Sequence, residues 1–235
     1  MIYEIRHLRR SGSHGVINWL MGHFDNIDAF MNIDNCGVGV GHSCATEIHG
    51  NKHTNMLYSY ENVSPYDLRT YVNIKNEEVN HNFKNNYGDS FPKKILIIRN
   101  PLNWAASHIH ARIKEGSTNY NEINFTQYKE YLKAMDDDDF YIIIYDHWFQ
   151  YPEYRRKIEN DLNLIESDGW FERVSNYGGG SSFDGVNFDG NAQKMDVLER
   201  WIKYKDHPII QRIEDTLLES FNEKSNFIWD KKNNK

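Results

Sequence analysis

MIYEIRHLRRSGSHGVINWLMGHF, residues 1–24, is the stretch whose reading decides the fold. Ile2 to Leu8 reads as a strand, a Gly/Ser turn follows, and Val16, Ile17, Leu20 and Phe24 then recur at helical spacing. The chain thus opens with a strand, a loop and a helix in direct succession. Working outward, Asn55 to Tyr60 reads as a second strand, and Ile95 to Ile98 is a short, wholly apolar run of the kind buried on both faces of a parallel sheet. Phe140 to Tyr145, FYIIIY, is a further strand.

Between the last two strands lies a helix opened by Asn100 and Pro101, since Asn suits the N-cap and Pro the first helical position. Ala105, Ile109 and Ile113 continue it and Gly116 can end it. Helical spacing recurs at Ile158, Leu162 and Ile165, at Met195, Leu198 and Ile202, and at Ile209 or Ile210, Ile213 and Leu217. Strands alternating with helices predict one α/β domain, a P-loop-like doubly wound parallel sheet flanked by helices, spanning residues 1–235. The charged tail after Phe227, about residues 228–235, is expected to fray. The acidic run Asp136 to Asp139, just before a strand, reads as a solvated turn.

The 235 residues can bury one substantial core. A formal net charge of −7 argues against a broad basic face for nucleic acid while leaving room for a local anion pocket. It points to an acceptor or ligand that is small or neutral. The two cysteines, Cys36 and Cys44, are too few for a disulfide framework, and no run approaches the ~20 apolar residues that span a bilayer. A cytoplasmic protein without a membrane partner is the expectation.

Three segments carry chemistry. RRSGSHG, Arg9 to Gly15, lies between a strand and a helix, where small residues let the backbone wrap an anion and the helix N-terminus favours a phosphate. It is not a Walker loop, because no lysine enters the helix at the required spacing. RNPLNWAAS, Arg99 to Ser107, starts where a strand ends, so that Arg99 and Ser107 can reach one phosphate from two sides. GGGSSFDG, Gly178 to Gly185, sits in a glycine-rich loop running from Trp170 to Gly190.

Together these segments resemble the cofactor motifs of the family of sulfotransferases that use 3'-phosphoadenosine-5'-phosphosulfate (PAPS). Arg10, Ser11, Gly12 and Ser13 match the loop that holds the 5'-phosphosulfate, and Arg99, Pro101 and Ser107 match the segment that holds the 3'-phosphate. The third segment looks like the loop that folds over the cofactor. The resemblance implies that Arg9, Arg10, Ser11, Gly12, Ser13, His14, Gly15, Arg99, Ser107, Gly179, Gly180, Ser181, Ser182 and Phe183 surround PAPS. It also implies direct transfer of a sulfuryl group to a hydroxyl or amine of a small-molecule or carbohydrate-like acceptor, with adenosine 3',5'-bisphosphate as the product. One departure is that the family's loop carries a basic residue that GGGSSFDG lacks, a place Arg173 can fill.

In open α/β sheets ligands bind beyond the C-terminal strand edges, so the loops after the first and third strands share one crevice. Glu61, ending the second strand, is placed there as a candidate general base, with Arg10 and His14 the other candidate catalytic residues. His53, His108 and His110 are weaker competitors, and Trp19, Trp104 or Phe183 can stack on adenine. Cys36, His42, Cys44, His49 and His53 are metal-ligand types without the usual short pairing, so no metal is expected. Two alternatives stay open. One is a P-loop-type nucleotide-dependent kinase with Asp146 holding magnesium; the other is a non-catalytic nucleotide-binding domain.

Overall fold

The computed structural model describes residues 1–25, 27–30, 55–66, 92–121, 123–168, 170–175 and 180–233. Strands β1 (Ile2–His7), β2 (Asp28–Phe30), β3 (Met56–Glu61), β4 (Lys93–Ile98) and β5 (Tyr141–Ile144) form one parallel sheet in the order β2-β3-β1-β4-β5. The strand order reverses between β1 and β4, the place where a doubly wound sheet opens a crevice. His7 of β1 lies level with Glu61 of β3 and with Ile97 of β4. Everything the chain does just beyond those residues therefore happens at one edge.

Ile95, Leu96, Ile97 and Ile98 are wholly buried, as a central parallel strand requires. β1 is buried along its whole length although it carries Glu4, Arg6 and His7. The charges are paired: Arg6 Nε donates to Glu4 Oε1 at 2.7 Å and the Tyr58 hydroxyl donates to Glu4 Oε2 at 3.1 Å.

Helices α1 (Ser13–Met21), α2 (Pro101–Lys114), α3 (Phe125–Ala134), α4 (Tyr145–Gln150) and α5 (Pro152–Leu162) pack around the sheet. α2 starts as the sequence predicts, with Pro101 in its first turn and the Asn100 side chain accepting from the Leu102 amide at 2.9 Å. α6 (Pro208–Ile213) passes through a π-helical turn into α7 (Glu219–Asn233).

Several expectations are corrected. α5 stops at Leu162, because Asn163 turns left-handed (φ 54°), and Ile165 is left 75% exposed rather than on a helical face. Met195 and Leu198 lie outside any α-helix; only short 3-10 turns, Ala192–Lys194 and Arg200–Tyr204, flank them. In the stretch expected to fray, α7 runs to Asn233, with Ile228 buried and Trp229 stacked on Tyr154 and packed against His147 and Tyr151. Among the described residues no helix is long and apolar enough to cross a membrane.

Candidate nucleotide and transfer site

β1 ends at His7 and the chain turns at once. The Ser11 amide donates to Leu8 O, and the Gly15 amide to Gly12 O, wrapping the loop tightly before α1. Gly12 has φ 78° and Arg10 φ 66°; the second is an uncommon conformation for a residue with a side chain, and it sits where a ligand would be gripped. No side chain caps α1, and a helix N-terminus favours an anion.

The loop is held from α2. The Arg9 carbonyl accepts from Trp104 Nε1 at 2.9 Å and lies 3.2 Å from His108 Nε2, which donates to it. Burial, reinforced by Arg10, pushes His108 down to about 3, so the ring stays neutral. On the other side Arg9 N donates to Asn62 Oδ1 at 2.8 Å, tying the loop to the end of β3.

Arg99 leaves β4 almost fully buried. Its Nη1 donates to Ser107 Oγ at 3.1 Å and its Nη2 to the Val197 carbonyl at 2.6 Å, while Ser107 Oγ donates in turn to Asn103 O. The guanidinium lies 4.8 Å over the Tyr145 ring, and its Nε is buried with no hydrogen-bond partner. Asn103 also donates from Nδ2 to Leu198 O at 2.6 Å, drawing the segment that carries Val197 over Arg99.

These parts converge. A cleft of about 260 Å³ is lined by Arg9, Arg10, Gly12, Ser13, His14 and Gly15 from the loop, Glu61 from β3, and Arg99 and Ser107 from the second motif. Gly180, Ser181 and Ser182 line it as well, and so does Arg173. Ser11 does not; it is buried behind the loop with its Oγ unpaired. Phe183 does not either, because its ring stacks on His110 at 4.0 Å. Gly179, His53 and the group Cys36, His42, Cys44 and His49 lie outside the described residues. Among the described residues, no group of three or more His, Cys, Asp or Glu is placed to hold a metal.

The stacking candidates are corrected too. Trp19 is a fully buried core residue, Trp104 braces Arg9, and neither lines the cleft. The aromatic wall is instead Tyr145, Trp148, Phe149 and Phe171, with Trp148 and Phe171 edge to face at 5.2 Å. Sequence reasoning missed it because FYIIIYDHWF reads as one apolar run, in which a strand that ends at Ile144 and a helix that begins at Tyr145 look alike.

Arg200 was missed as well. It lines the cleft, donates to Ser181 Oγ at 3.0 Å, pairs with Asp184, and lies over the Phe183 ring. It sets a guanidinium against the glycine-rich segment, whereas Arg173 pairs with Asp189 at the exposed rim. Burial, then Arg99 beside it, lowers the Arg200 pKa. Asp146 does not line the cleft. Its Oδ2 accepts from the Asn100 amide at 2.6 Å, so the carboxylate holds the second motif in place rather than facing a metal.

The lining suits a phosphate-bearing ligand: a helix N-terminus without a side-chain cap, the buried Arg99 guanidinium whose Nε has no partner, and Gly12 packed so closely that a side chain there would meet Tyr145. No protein-family model matches this chain, and no curated protein matches it. The class defined by sheet order and cleft is an α/β fold of the sulfotransferase kind. The chain is similar to the crystal structure of mouse sulfotransferase SULT7A1 complexed with PAP, with a TM-score of 0.51 and 15% sequence identity over 95% of this chain and 84% of that one. At that identity the likeness carries the fold.

Proposed function

We propose that this chain is a PAPS-dependent sulfotransferase acting on a hydroxyl or amine of a small-molecule or carbohydrate-like acceptor. The observation that carries the reading is that the Arg10–Gly15 loop and the Arg99–Ser107 pair, far apart in sequence, line one cleft from adjacent strands. The resemblance of both segments to the family's cofactor motifs and the fold of a PAP-bound neighbour support it.

PAPS, when bound, supplies a sulfuryl group already activated by a phosphate leaving group. Arg10 and the N–H groups around Ser11 to Ser13 hold the 5'-phosphate and take up its growing charge as it leaves. Arg99 and Ser107 grip the 3'-phosphate; Arg200, buried beside Arg99, adds charge to that end. Glu61 at the strand edge takes the acceptor's proton as the new bond to sulfur forms. Catalysis of this kind rests on positioning and charge more than on covalent chemistry.

The test is calorimetry with adenosine 3',5'-bisphosphate and adenosine 5'-monophosphate. A charge-assisted contact is worth about 1.5–3 kcal/mol, so the bisphosphate should bind roughly tenfold to a hundredfold more tightly. Arg99→Ala should erase most of that preference. Equal affinities in the unmodified protein would overturn the reading.

A further inference from the structure

His7 closes β1 level with Glu61 and is completely buried. Its Nδ1 lies 3.4 Å from the Leu8 carbonyl, which can only accept, so Nδ1 carries the ring proton and Nε2 is a lone pair. That Nε2 is buried and has no hydrogen-bond partner in the protein. Burial, with His14 adding to it, pushes His7 down to about 3, which keeps the ring neutral and the lone pair intact. The ring beside it is His14, edge to face with centroids 6.3 Å apart, and His14 lines the cleft together with Glu61.

We propose that His7 is a positioning residue that orients His14 as a second proton acceptor of the cleft. A buried acceptor without a donor asks for an explanation, and the imidazole of His14 is the neighbouring ring that brings one. The present separation is longer than a direct ring-to-ring hydrogen bond; such bonds are often long in unliganded sites and tighten when the ligand binds. By donating one N–H to His7 Nε2, the His14 ring is fixed in one tautomer and one orientation at the cleft it lines. This is the arrangement of a base oriented by a third group. In the transfer step the acceptor oxygen forms its bond to sulfur while the S–O bond to the 5'-phosphate breaks, its electron pair leaving with the phosphate. The hydroxyl proton passes to Glu61 or, where Glu61 cannot take it, to His14.

The inference rests on the sulfotransferase reading for its chemistry, but its first test does not. Two-bond nitrogen–proton correlation spectra of the ¹⁵N-labelled free protein report which ring nitrogen is protonated. His7 should carry its proton on Nδ1, and His14 should populate a single tautomer. His7→Phe, which fills the space without an acceptor, should leave His14 a tautomer mixture, whereas His7→Gln, which retains a carbonyl oxygen, should not. In a Glu61→Gln background, His7→Phe should lower the residual kcat about tenfold further with unchanged bisphosphate affinity, and His7→Gln should restore it. A proton on His7 Nε2 in the unmodified protein, or an unaltered His14 tautomer in His7→Phe, overturns the proposal. If His7→Phe does not fold, the unmodified spectrum decides. Failure of the sulfotransferase reading would instead appear as absent bisphosphate binding, with the tautomer result still standing.

Discussion

Gly12→Ala tests the joint between the phosphate loop and Tyr145 at the start of α4. Gly12 has φ 78°, and a Cβ there would lie 2.7 Å from Tyr145 Cζ and closer still to Cε2 and Cδ2. Left-handed backbone costs a residue with a side chain roughly 1–2 kcal/mol. Displacing a buried ring from a packed position adds about 1–3 kcal/mol. The substitution should therefore destabilise by about 2–5 kcal/mol, which for a domain of this size lowers Tm by roughly 4–20 °C. Differential scanning calorimetry measures it. Because Tyr145 also supports Arg99 from below, the damage should reach bisphosphate binding as well. Tyr145→Ala removes the clash but not the backbone strain, so the double substitution should be less destabilised than the sum of the singles by about 1–3 kcal/mol. A Gly12→Ala protein with unchanged Tm, or strict additivity with Tyr145→Ala, would refute the packing on which the site is built.

Glu61→Gln should lower kcat roughly a hundredfold or more while leaving bisphosphate affinity nearly unchanged, and His14→Ala should disturb that affinity too; near-normal turnover in Glu61→Gln would remove Glu61 as the base. Sulfuryl transfer should persist in excess EDTA, and loss of activity restored by magnesium or zinc would revive a metal-dependent mechanism. His7 and His108 are held neutral in the fold, so the unfolded chain binds more protons than the folded one between pH 6.5 and about 3. Stability should fall as pH falls through that window, by about 1.4 kcal/mol per pH unit for each histidine, partly offset by Asp146, whose pKa burial raises. Urea midpoints between pH 7.5 and 5 check this, and His108→Gln should flatten the slope.

Much of the sheet edge was legible because it is written in local chemistry. An apolar run ending at Ile98, followed by Arg99, Asn100 and Pro101, contains the strand, its exit and the helix cap within a few residues. The spacing from Arg99 to Ser107 follows from two turns of helix, and the structure joins the two side chains at 3.1 Å. The docking of α7 went unread: Phe221, Ser225 and Ile228 are buried at helical spacing, but the charges between them made the stretch after Phe227 read as a solvated tail. Arg200 had no such signal. Its position depends on Asp184, Ser181 and the Asp196 carbonyl, contacts that exist only once the chain has folded. Met195, Leu198 and Ile202 read as helical because it cannot be seen from sequence that the carbonyls of Val197 and Leu198 are claimed by Arg99 and Asn103.

Net charge describes the chain, and binding is decided by where the charge lies. With a formal charge of −7 the protein as a whole repels polyanions, yet the cleft is lined by Arg9, Arg10, Arg99, Arg173 and Arg200 against the single carboxylate of Glu61. Asp184 and Asp189 reach in from the side to pair with Arg200 and Arg173, while the hydrogen bonds of Arg99 go to a hydroxyl and carbonyl oxygens and the buried Asp146 carboxylate acts on it through its charge. Buried cations satisfied by neutral oxygens are compensated far less than cations facing carboxylates, and they are screened less by salt than exposed ones. An anion arriving at Arg99 exchanges weak partners for a strong one, whereas an anion arriving at Arg173 must compete with a carboxylate already in place. Positive charge thus lies at two places in the cleft, the loop after β1 and the end where β4 meets α2. A ligand with two well-separated anionic groups, one for the loop after β1 and one for Arg99, matches that distribution better than a ligand with one.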